Sequence, residues 1–515
     1  MAILGSLLKQ AIALNDSMRR VRPRPSPARL QVRTLLKLLS KAQYTSFGVF
    51  YGFRKILMAP DPVQEFRRRV PIFDYNEIYN RWWHRTLEGE EDICWPGRIR
   101  YFALSSGTSE SASKRIPITR DLLRSNTRTS IRQLLTLADY NLPEELFTKG
   151  ILMLGGSTDL VNKGHYYEGD LSGISQAKMP GWFHPYYKPG RLIAKERDWN
   201  KKIEQVVLKA KDWDIGFIVG VPAWIQITLE KIIAHYNLRH IHELWPHLSV
   251  YVHGGVSFEP YRKSFEKLLG RPLEYIETYL ASEGFIAYQS RRLAKGMTLV
   301  LDNGIFLEFI PFNSRNFDDE GQLKSGAESL WINDVKEGEE YALLLSTNAG
   351  AWRYLIGDTI RFVDLERCEI VITGRTKHFL SLCGEHLSVD NMNAAIRLID
   401  EEFHLNIREF TVAGISEGSL FAHKWYIGAE KRADVERVRQ ALDTHLCRLN
   451  DDYAVERQHA LRNVYVELLP PHVFYSWMEK QGKIGSQNKF PRVLKGQRLE
   501  DWEQFVQAKK SLMAT

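Results

Sequence analysis

From Ile99 onward, short β-rich runs alternate with stretches of helical period, and a chain patterned this way folds around an α/β sheet. Ile99 to Leu104 is the first run, and a helix is expected to start near Arg120. Residues 151–154 and 215–219 read as further strands, with 201–211 and 223–236 as helices. Leu248 to Val252 is a β run that ends in His253-Gly254-Gly255, and a helix begins at Pro260. Its apolar positions Tyr261, Phe265, Leu268 and Leu269 recur at helical spacing, and Gly270 stands where glycine commonly follows a helix. Strand, Gly-Gly turn, helix is a layout that brings backbone close to a ligand at the carboxyl end of a sheet. A tight βα turn without a ligand has the same pattern. Leu273 to Leu280 is the next strand and ends in Ala281-Ser282-Glu283-Gly284. Further strands are expected at 305–310, 329–333 and 341–346. Ahead of all of these, residues 1–95 read as a mainly helical lead-in.

At 515 residues the chain exceeds one small core, so two or three domains are expected. The division falls near residue 376, giving a large unit of 1–375 and a small one of 376–515. After Gly374-Arg375-Thr376-Lys377 come a strand at 379–382, a Gly-Glu turn and Ser388 as an N-cap. The helix that follows carries Val389, Met392, Ile396, Ile399 and Phe403 on one face. Strands are expected at 408–414 and 422–428. A second helix carries Val435, Val438, Leu442, Leu446 and Leu449, and a last strand covers 463–468. The order βαββαβ predicts a small, ferredoxin-like α+β domain. The polar tail from Gly482 to Lys495 reads as a loop.

Charge and cysteine usage narrow the function. The net charge of +8 favours anionic partners, but basic and acidic residues are interspersed. The one concentrated basic stretch, Arg19, Arg20, Arg22, Arg24 and Arg29, is broken by prolines and reads as a solvated connector. A nucleic-acid-binding protein would cluster Lys and Arg among aromatics, so no nucleic acid partner is expected. The four cysteines, Cys94, Cys368, Cys383 and Cys447, show no C-x-x-C spacing, which fits reduced thiols in a cytoplasmic enzyme. Met1 to Met18 has amphipathic spacing without a cleavage site, so it is not read as a signal peptide. No stretch approaches about 18 consecutive apolar residues, so no membrane span is expected.

Ser105-Ser106-Gly107-Thr108-Ser109 follows the first β run and leads through Lys114 into Ile116-Pro117-Ile118-Thr119. Small residues let backbone N–H groups converge on an anion, and hydroxyls and a lysine add donors and charge. Such a loop can hold nucleotide phosphates, although ordinary loops share its composition. It is not a Walker A loop, because no Gly-Lys-Ser/Thr follows at the required spacing. His240, His242 and His247 flank Pro246 without regular ligand spacing and are not read as a metal site. Ser106-Gly107 does not form G-x-S-x-G, so a hydrolase nucleophile is not supported.

Four segments line up in order: the 105–109 loop with Lys114, Tyr279-Leu280-Ala281-Ser282-Glu283, Trp352-Arg353-Tyr354-Leu355-Ile356-Gly357-Asp358, and Gly374-Arg375-Thr376-Lys377. With Thr45-Ser46-Phe47-Gly48, His253-Gly254-Gly255 and Gly384-Glu385-His386-Leu387, this set resembles the acyl-adenylate-forming superfamily. Within it, the chain most resembles the Gretchen Hagen acyl acid amido synthetases, also called the auxin-responsive promoter family. The likeness covers nearly the whole chain, and its shorter build looks more like the bacterial members.

The resemblance implies an ATP-dependent ligase. A carboxylic acid attacks the α-phosphate of ATP, and an amine, usually of an amino acid, then takes the acyl group and releases AMP. An adenylating enzyme that passes the acyl group to a thiol such as coenzyme A is the alternative. No protein nucleophile is needed, so positioning and charge stabilisation carry the catalysis. The resemblance implies roles for Ser105, Ser106, Gly107, Thr108, Ser109 and Lys114 at the phosphates. Similar proteins often carry Gly and Lys where this chain has Ser111 and Ala112. Gly254, Gly255 and Val256 would approach the adenine edge, beside Tyr279, Ala281 and Ser282, with Tyr279 offering a flat face. Glu283 would coordinate Mg²⁺. Asp358, expected in a tight Gly-Asp turn, would accept from both ribose hydroxyls. Trp352 stands where the family usually has Tyr, and Arg353 is as readily structural as functional. Arg375 would reach ribose or α-phosphate, and Thr376-Lys377 would be the hinge of a mobile small domain. Lys489 matches the family's C-terminal lysine best, with Lys483 as runner-up. Phe217, Val221, Trp224 and the Trp182-Phe183-His184 stretch are candidate walls for the acid, and equally candidate core.

Overall fold

The computed structural model describes residues 25–105, 114–140, 142–255, 258–318, 321–376, 389–417, 420–450, 461–482 and 490–513, with positions 380, 387, 453, 454 and 457 between them. The largest element is an eleven-stranded sheet. Its parallel half consists of Tyr187–Lys188, Gly150–Met153, Ile215–Val219, Val250–Gly254 and Glu274–Ala281, in that spatial order. Gly284–Tyr288 then folds back, and the sheet continues through Met297–Leu299, Glu369–Arg375, Tyr354–Asp364, Glu340–Thr347 and Ile305–Pro311, all antiparallel neighbours.

The parallel strands are apolar on both faces because helices cover both. Trp199–Lys209, Pro222–Tyr236 and Glu259–Glu266 pack on one side, around Ile218, Tyr251 and Trp245. On the other side Phe217, Val250 and Ile276 meet Leu137, Tyr140 and Leu146. The antiparallel half shows the two-residue period of a strand. Tyr341, Leu343 and Leu345 face the cluster built by the helices of residues 27–87, while Ala342 and Leu344 face a smaller one with Ile310 and Phe317. A four-stranded sheet, ordered Lys114–Ile118, Tyr101–Ser105, Tyr167–Gly169 and Val161–Asn162, lies apart from it.

The C-terminal part is an α+β layer with its own sheet, ordered Leu461–Leu469, Leu420–Ala429, Ile407–Glu417 and Val493–Leu494. Helices Val389–Phe403 and Val435–Leu449 cover the face that carries Phe410, Val412, Trp425 and Ile427. Tyr426 points the other way, into a cluster with Phe474, Trp477 and Trp502 of helices Pro471–Lys480 and Gln497–Met513. Side chains tie this part to the large sheet's helices. Tyr261 donates to Glu409 Oε1 at 2.8 Å, Arg408 pairs with Glu230 at 2.8 Å, and Asn200 donates to Glu479 at 3.2 Å.

Several expectations need correction. Residues 329–333 are not a strand: only Leu330 bridges, to Phe309. Ser329 is held by side chains instead, donating to Glu308 Oε1 at 2.7 Å and accepting from Arg353 at 2.8 Å, and the chain then turns with Asp334 N–H on Trp331 C=O. Gly357-Asp358 is not a free turn but a bulge inside the long strand Tyr354–Asp364. The predicted strand at 379–382 and the Ser388 cap lie outside the described residues, apart from Leu380, which bridges Leu387. The fourth C-terminal strand comes instead from Val493–Leu494, within the tail read as a loop.

Candidate active site

A cavity of about 1390 Å³ opens where the parallel strands end, and residues of the C-terminal layer close part of its wall. Open α/β sheets bind ligands at this end because successive loops diverge there. The strand ends contribute Met153, Val219, Gly254 and Ala281, and the C-terminal layer contributes Glu409, Tyr475 and Arg492.

Asp358 reaches the cavity through the bulge. Ala342 pairs with Thr359 and Leu344 with Leu355, so residues 356–358 stand opposite Leu343 alone. Gly357 takes a φ of 90° there, which a side chain would strain. Across the adjacent strand Asp358 is the partner of Arg375, whose Nε forms an ion pair with Asp358 Oδ1 at 2.9 Å. Tyr279 donates to Asp358 Oδ2 at 2.5 Å. The Asp358 carboxylate holds the Arg375 guanidinium firmly protonated. Burial, with Asp358 second, pushes the Tyr279 phenol far above its ordinary range. One carboxylate is thus held by one hydrogen bond and one ion pair. A carboxylate has about four lone-pair sites, so it keeps acceptor capacity for a ligand.

Glu283 follows the Glu274–Ala281 strand, 6% exposed and in the same cavity. Burial raises its carboxyl above the ordinary glutamate range, opposed in part by Lys114 and Arg375. Lys114 opens the strand that pairs with Tyr101–Ser105, directly opposite Ser105, and its ammonium stands 5.4 Å from the Tyr75 ring centre. The predicted phosphate loop therefore connects two antiparallel strands, and Lys114 at the start of the second lines the cavity. Ser106, Gly107, Thr108 and Ser109 themselves lie outside the described residues, as do Val256, Lys377, Lys483 and Lys489. Phe490, the residue after Lys489, lines the cavity. A side chain on Gly254 would meet Thr278 C=O at 2.4 Å, so this strand end admits only glycine. Gly255, Ala281 and Ser282 line the cavity beside it.

Phe217, Val221 and Trp224 all line the cavity, as does Phe183, whereas His184 accepts from Arg191 instead. Arg353 sits elsewhere, 6% exposed, with all five N–H donors engaged by Glu308, Ser329, Arg67 C=O and Val70 C=O. Trp352 is buried and donates to Cys94 C=O at 3.0 Å. His242 bonds Leu248 C=O and Gly270 N–H through its two ring nitrogens, and the described residues hold no cluster of three metal-ligating side chains. The sequence reading did not single out Asn126 and Gln133, although both line the cavity. Their signal was two amides spaced by seven, which places them on one face of the helix Arg120–Thr136.

Three family profiles match this chain: the GH3 family N-terminal domain over residues 24–210, the central domain over 298–375 and the C-terminal domain over 390–498. Together they span well over half of it. A jasmonoyl–L-amino acid synthetase, JAR6, of Nicotiana attenuata is 22% identical over 451 residues, covering 74% of this chain and 76% of that protein. A probable indole-3-acetic acid-amido synthetase, GH3.6, of Oryza sativa subsp. japonica is 30% identical over 128 residues, 24% of this chain and 25% of that one. Among solved structures, a GH3.15 acyl acid amido synthetase superposes with a TM-score of 0.76 at 18% identity, covering 97% of this chain and 96% of the other. A 2-hydroxyisobutyryl-CoA ligase in its postadenylation state superposes with a TM-score of 0.57 at 14% identity, covering 94% and 92%. These likenesses show that the fold is that of the acyl-adenylate-forming enzymes.

Proposed function

The chain belongs to the GH3 family, and from that premise we propose that it is an ATP-dependent acyl acid amido synthetase. The observation that carries the reading is the Tyr279–Asp358–Arg375 cluster facing buried Glu283 in one cavity at the strand ends. An oxygen of the acid's carboxylate attacks the α-phosphorus of ATP, the bond to the bridging oxygen breaks, and pyrophosphate leaves. The nitrogen of an amine, most simply that of an amino acid, then attacks the acyl carbon. AMP leaves, and the nitrogen loses its proton.

In this scheme Asp358 accepts from the ribose hydroxyls, held in place by Tyr279 and Arg375. Gly254 and Gly255 bring backbone to the base, with Val256, Ala281 and Ser282 beside them. Arg375 adds positive charge toward the α-phosphate. Lys489, whose segment matches the family's C-terminal lysine motif better than that of Lys483, would stabilise charge on the α-phosphate and bridging oxygen. Ser105 to Ser109 and Lys114 hold the outer phosphates. Phe217, Val221 and Trp224 bound the acid. Residues 376–515 act as a domain that reorients about Thr376-Lys377 between the two half-reactions.

Glu283 suits Mg²⁺, because such ions are commonly held by one or two carboxylates plus substrate phosphates rather than by an all-protein cage. When bound, Mg²⁺ neutralises triphosphate charge and polarises the α-phosphoryl group. The raised Glu283 carboxyl sets a pH dependence. Burial favours the proton, so the carboxylate is lost on acidification earlier than at the ~4.3 of a free glutamate. The acid limb of kcat/KM for ATP should lie above that value and move to lower pH as free Mg²⁺ is raised. A limb indifferent to Mg²⁺ would remove the metal role.

The described thiols Cys94, Cys368 and Cys447 are free, the first two buried, which fits a reducing, cytoplasmic setting. No helix among the described residues is long and apolar enough to cross a membrane. The test of function is pyrophosphate release against a panel of carboxylic acids, with and without the twenty amino acids. Acid-dependent release accelerated by an amino acid, with a new amide by mass spectrometry, is the expected result. Release accelerated by thiols but not by amines would overturn it.

A further inference from the structure

The helix Arg120–Thr136 runs along the cavity, and Leu123, Asn126, Ser130, Gln133 and Leu137 recur on it at steps of three and four, all lining that space. Two of these five are buried amides, Asn126 at 7% exposure and Gln133 at 9%. Asn126 Oδ1 accepts from Phe285 N–H at 3.2 Å, which fixes the amide's orientation and leaves Nδ2 buried without a partner. Phe285 is two residues beyond Glu283, so Asn126 stands at the nucleotide end of the cavity.

Gln133 lies two helical turns further on, about 10 Å along the axis at roughly 1.5 Å per residue. Its Nε2 is likewise buried without a partner. Leu134 and Leu137 beside it on the helix belong to one cluster with Phe217 and Ile276. Elsewhere the same helix accepts from the amide donors that reach it. Asn303 Nδ2 donates to Ser125 C=O at 2.6 Å and to Thr129 Oγ1 at 2.7 Å. Buried donors are nearly always paired in folded proteins, so two orphans on one cavity-lining stripe point to a partner that arrives with the ligand.

Resting on the ligase reading above, we infer that the acid used here carries an oxygen acceptor, a hydroxyl, ether or carbonyl, about 10 Å from its reacting carboxyl. That oxygen accepts from Gln133 Nε2, and a carboxyl oxygen of the same acid accepts from Asn126 Nδ2. The cavity therefore selects oxygenated acids over hydrocarbon acids of the same size. A site built to hydrogen-bond a substrate oxygen discriminates strongly against the analogue that lacks it, because its own donor is then left unpaired.

The experiment is acid-dependent ATP–pyrophosphate exchange with paired acids, matched in carbon count, with and without a distal hydroxyl or oxo group. Wild-type protein should favour the oxygenated member of its best pair by about 100-fold or more in kcat/KM. Gln133→Met keeps the volume and removes the amide. It should reduce that ratio to about tenfold or less while leaving the KM for ATP unchanged, which also serves as the check on folding. Equal use of the plain acids by wild type, or an unchanged ratio in Gln133→Met, would overturn the inference and leave the ligase reading intact. Exchange with no acid of either set would overturn both.

Discussion

Asp358→Ala is expected to lose acid-dependent pyrophosphate release almost completely, and to lose it through ATP binding. The carboxylate stands between Tyr279 and Arg375 with both oxygens oriented, so two charge-assisted bonds to a ribose are formed by a group already in place. Bonds to charged groups are worth about 1.5–3 kcal/mol each, which together predicts roughly a 10²- to 10⁴-fold weaker site. The loss is deepened because Arg375 and the Tyr279 hydroxyl are left without their shared partner. Titration calorimetry with ATP, alongside pyrophosphate release, separates binding from turnover. Tyr279→Phe removes only the positioning hydroxyl and should cost much less, about tenfold. Wild-type ATP affinity in Asp358→Ala would eliminate the ribose assignment, whatever happened to turnover.

Six of the sheet's eleven strands were legible as apolar runs, whereas Gly284–Tyr288, Met297–Leu299, Tyr354–Asp364 and Glu369–Arg375 were not read as strands. Ile215–Val219 and Glu340–Thr347 read as strands from composition alone. The helices on either side carried their apolar stripes, as with Met392, Ile396 and Ile399. What was not legible depends on contacts distant in sequence. Residues 329–333 have strand composition, but Ser329 is taken by Glu308 and Arg353, about twenty residues away on either side. Gly357-Asp358 has the composition of a turn, and only the pairing of three strands makes it a bulge. Tyr279 was legible as a candidate, but its bond to Asp358 spans 79 positions and no local pattern encodes it. Asn126 and Gln133 were missed for a related reason: an amide inside a helical stripe has the same sequence whether neighbouring groups satisfy it or a ligand must.

Arg353 was the residue on which the motif was most ambiguous, and the structure gives it a stability role that can be measured. Arg353→Met is expected to destabilise the protein by about 3–5 kcal/mol, because it leaves Glu308 buried with its main partner gone. Glu308 is 1% exposed, and Arg353 holds it with two bonds, Nε to Oε2 at 3.1 Å and a terminal nitrogen to Oε1 at 3.0 Å. The other terminal nitrogen bonds Arg67 C=O at 2.9 Å and Val70 C=O at 2.7 Å, so one side chain joins the helical lead-in to the large sheet. Arg67 stands 3.6 Å from the same carboxylate but is only partly buried, and cannot replace a five-donor clamp. Urea denaturation should show the lower midpoint, and the protein that remains folded should keep its kcat. Glu308→Leu on the Arg353→Met background should recover much of the loss, since apolar replacement of a whole buried pair is often neutral or stabilising. A variant with wild-type stability and lost turnover would mean that Arg353 acts on the substrate after all, and that its five bonds are rearranged when the site fills.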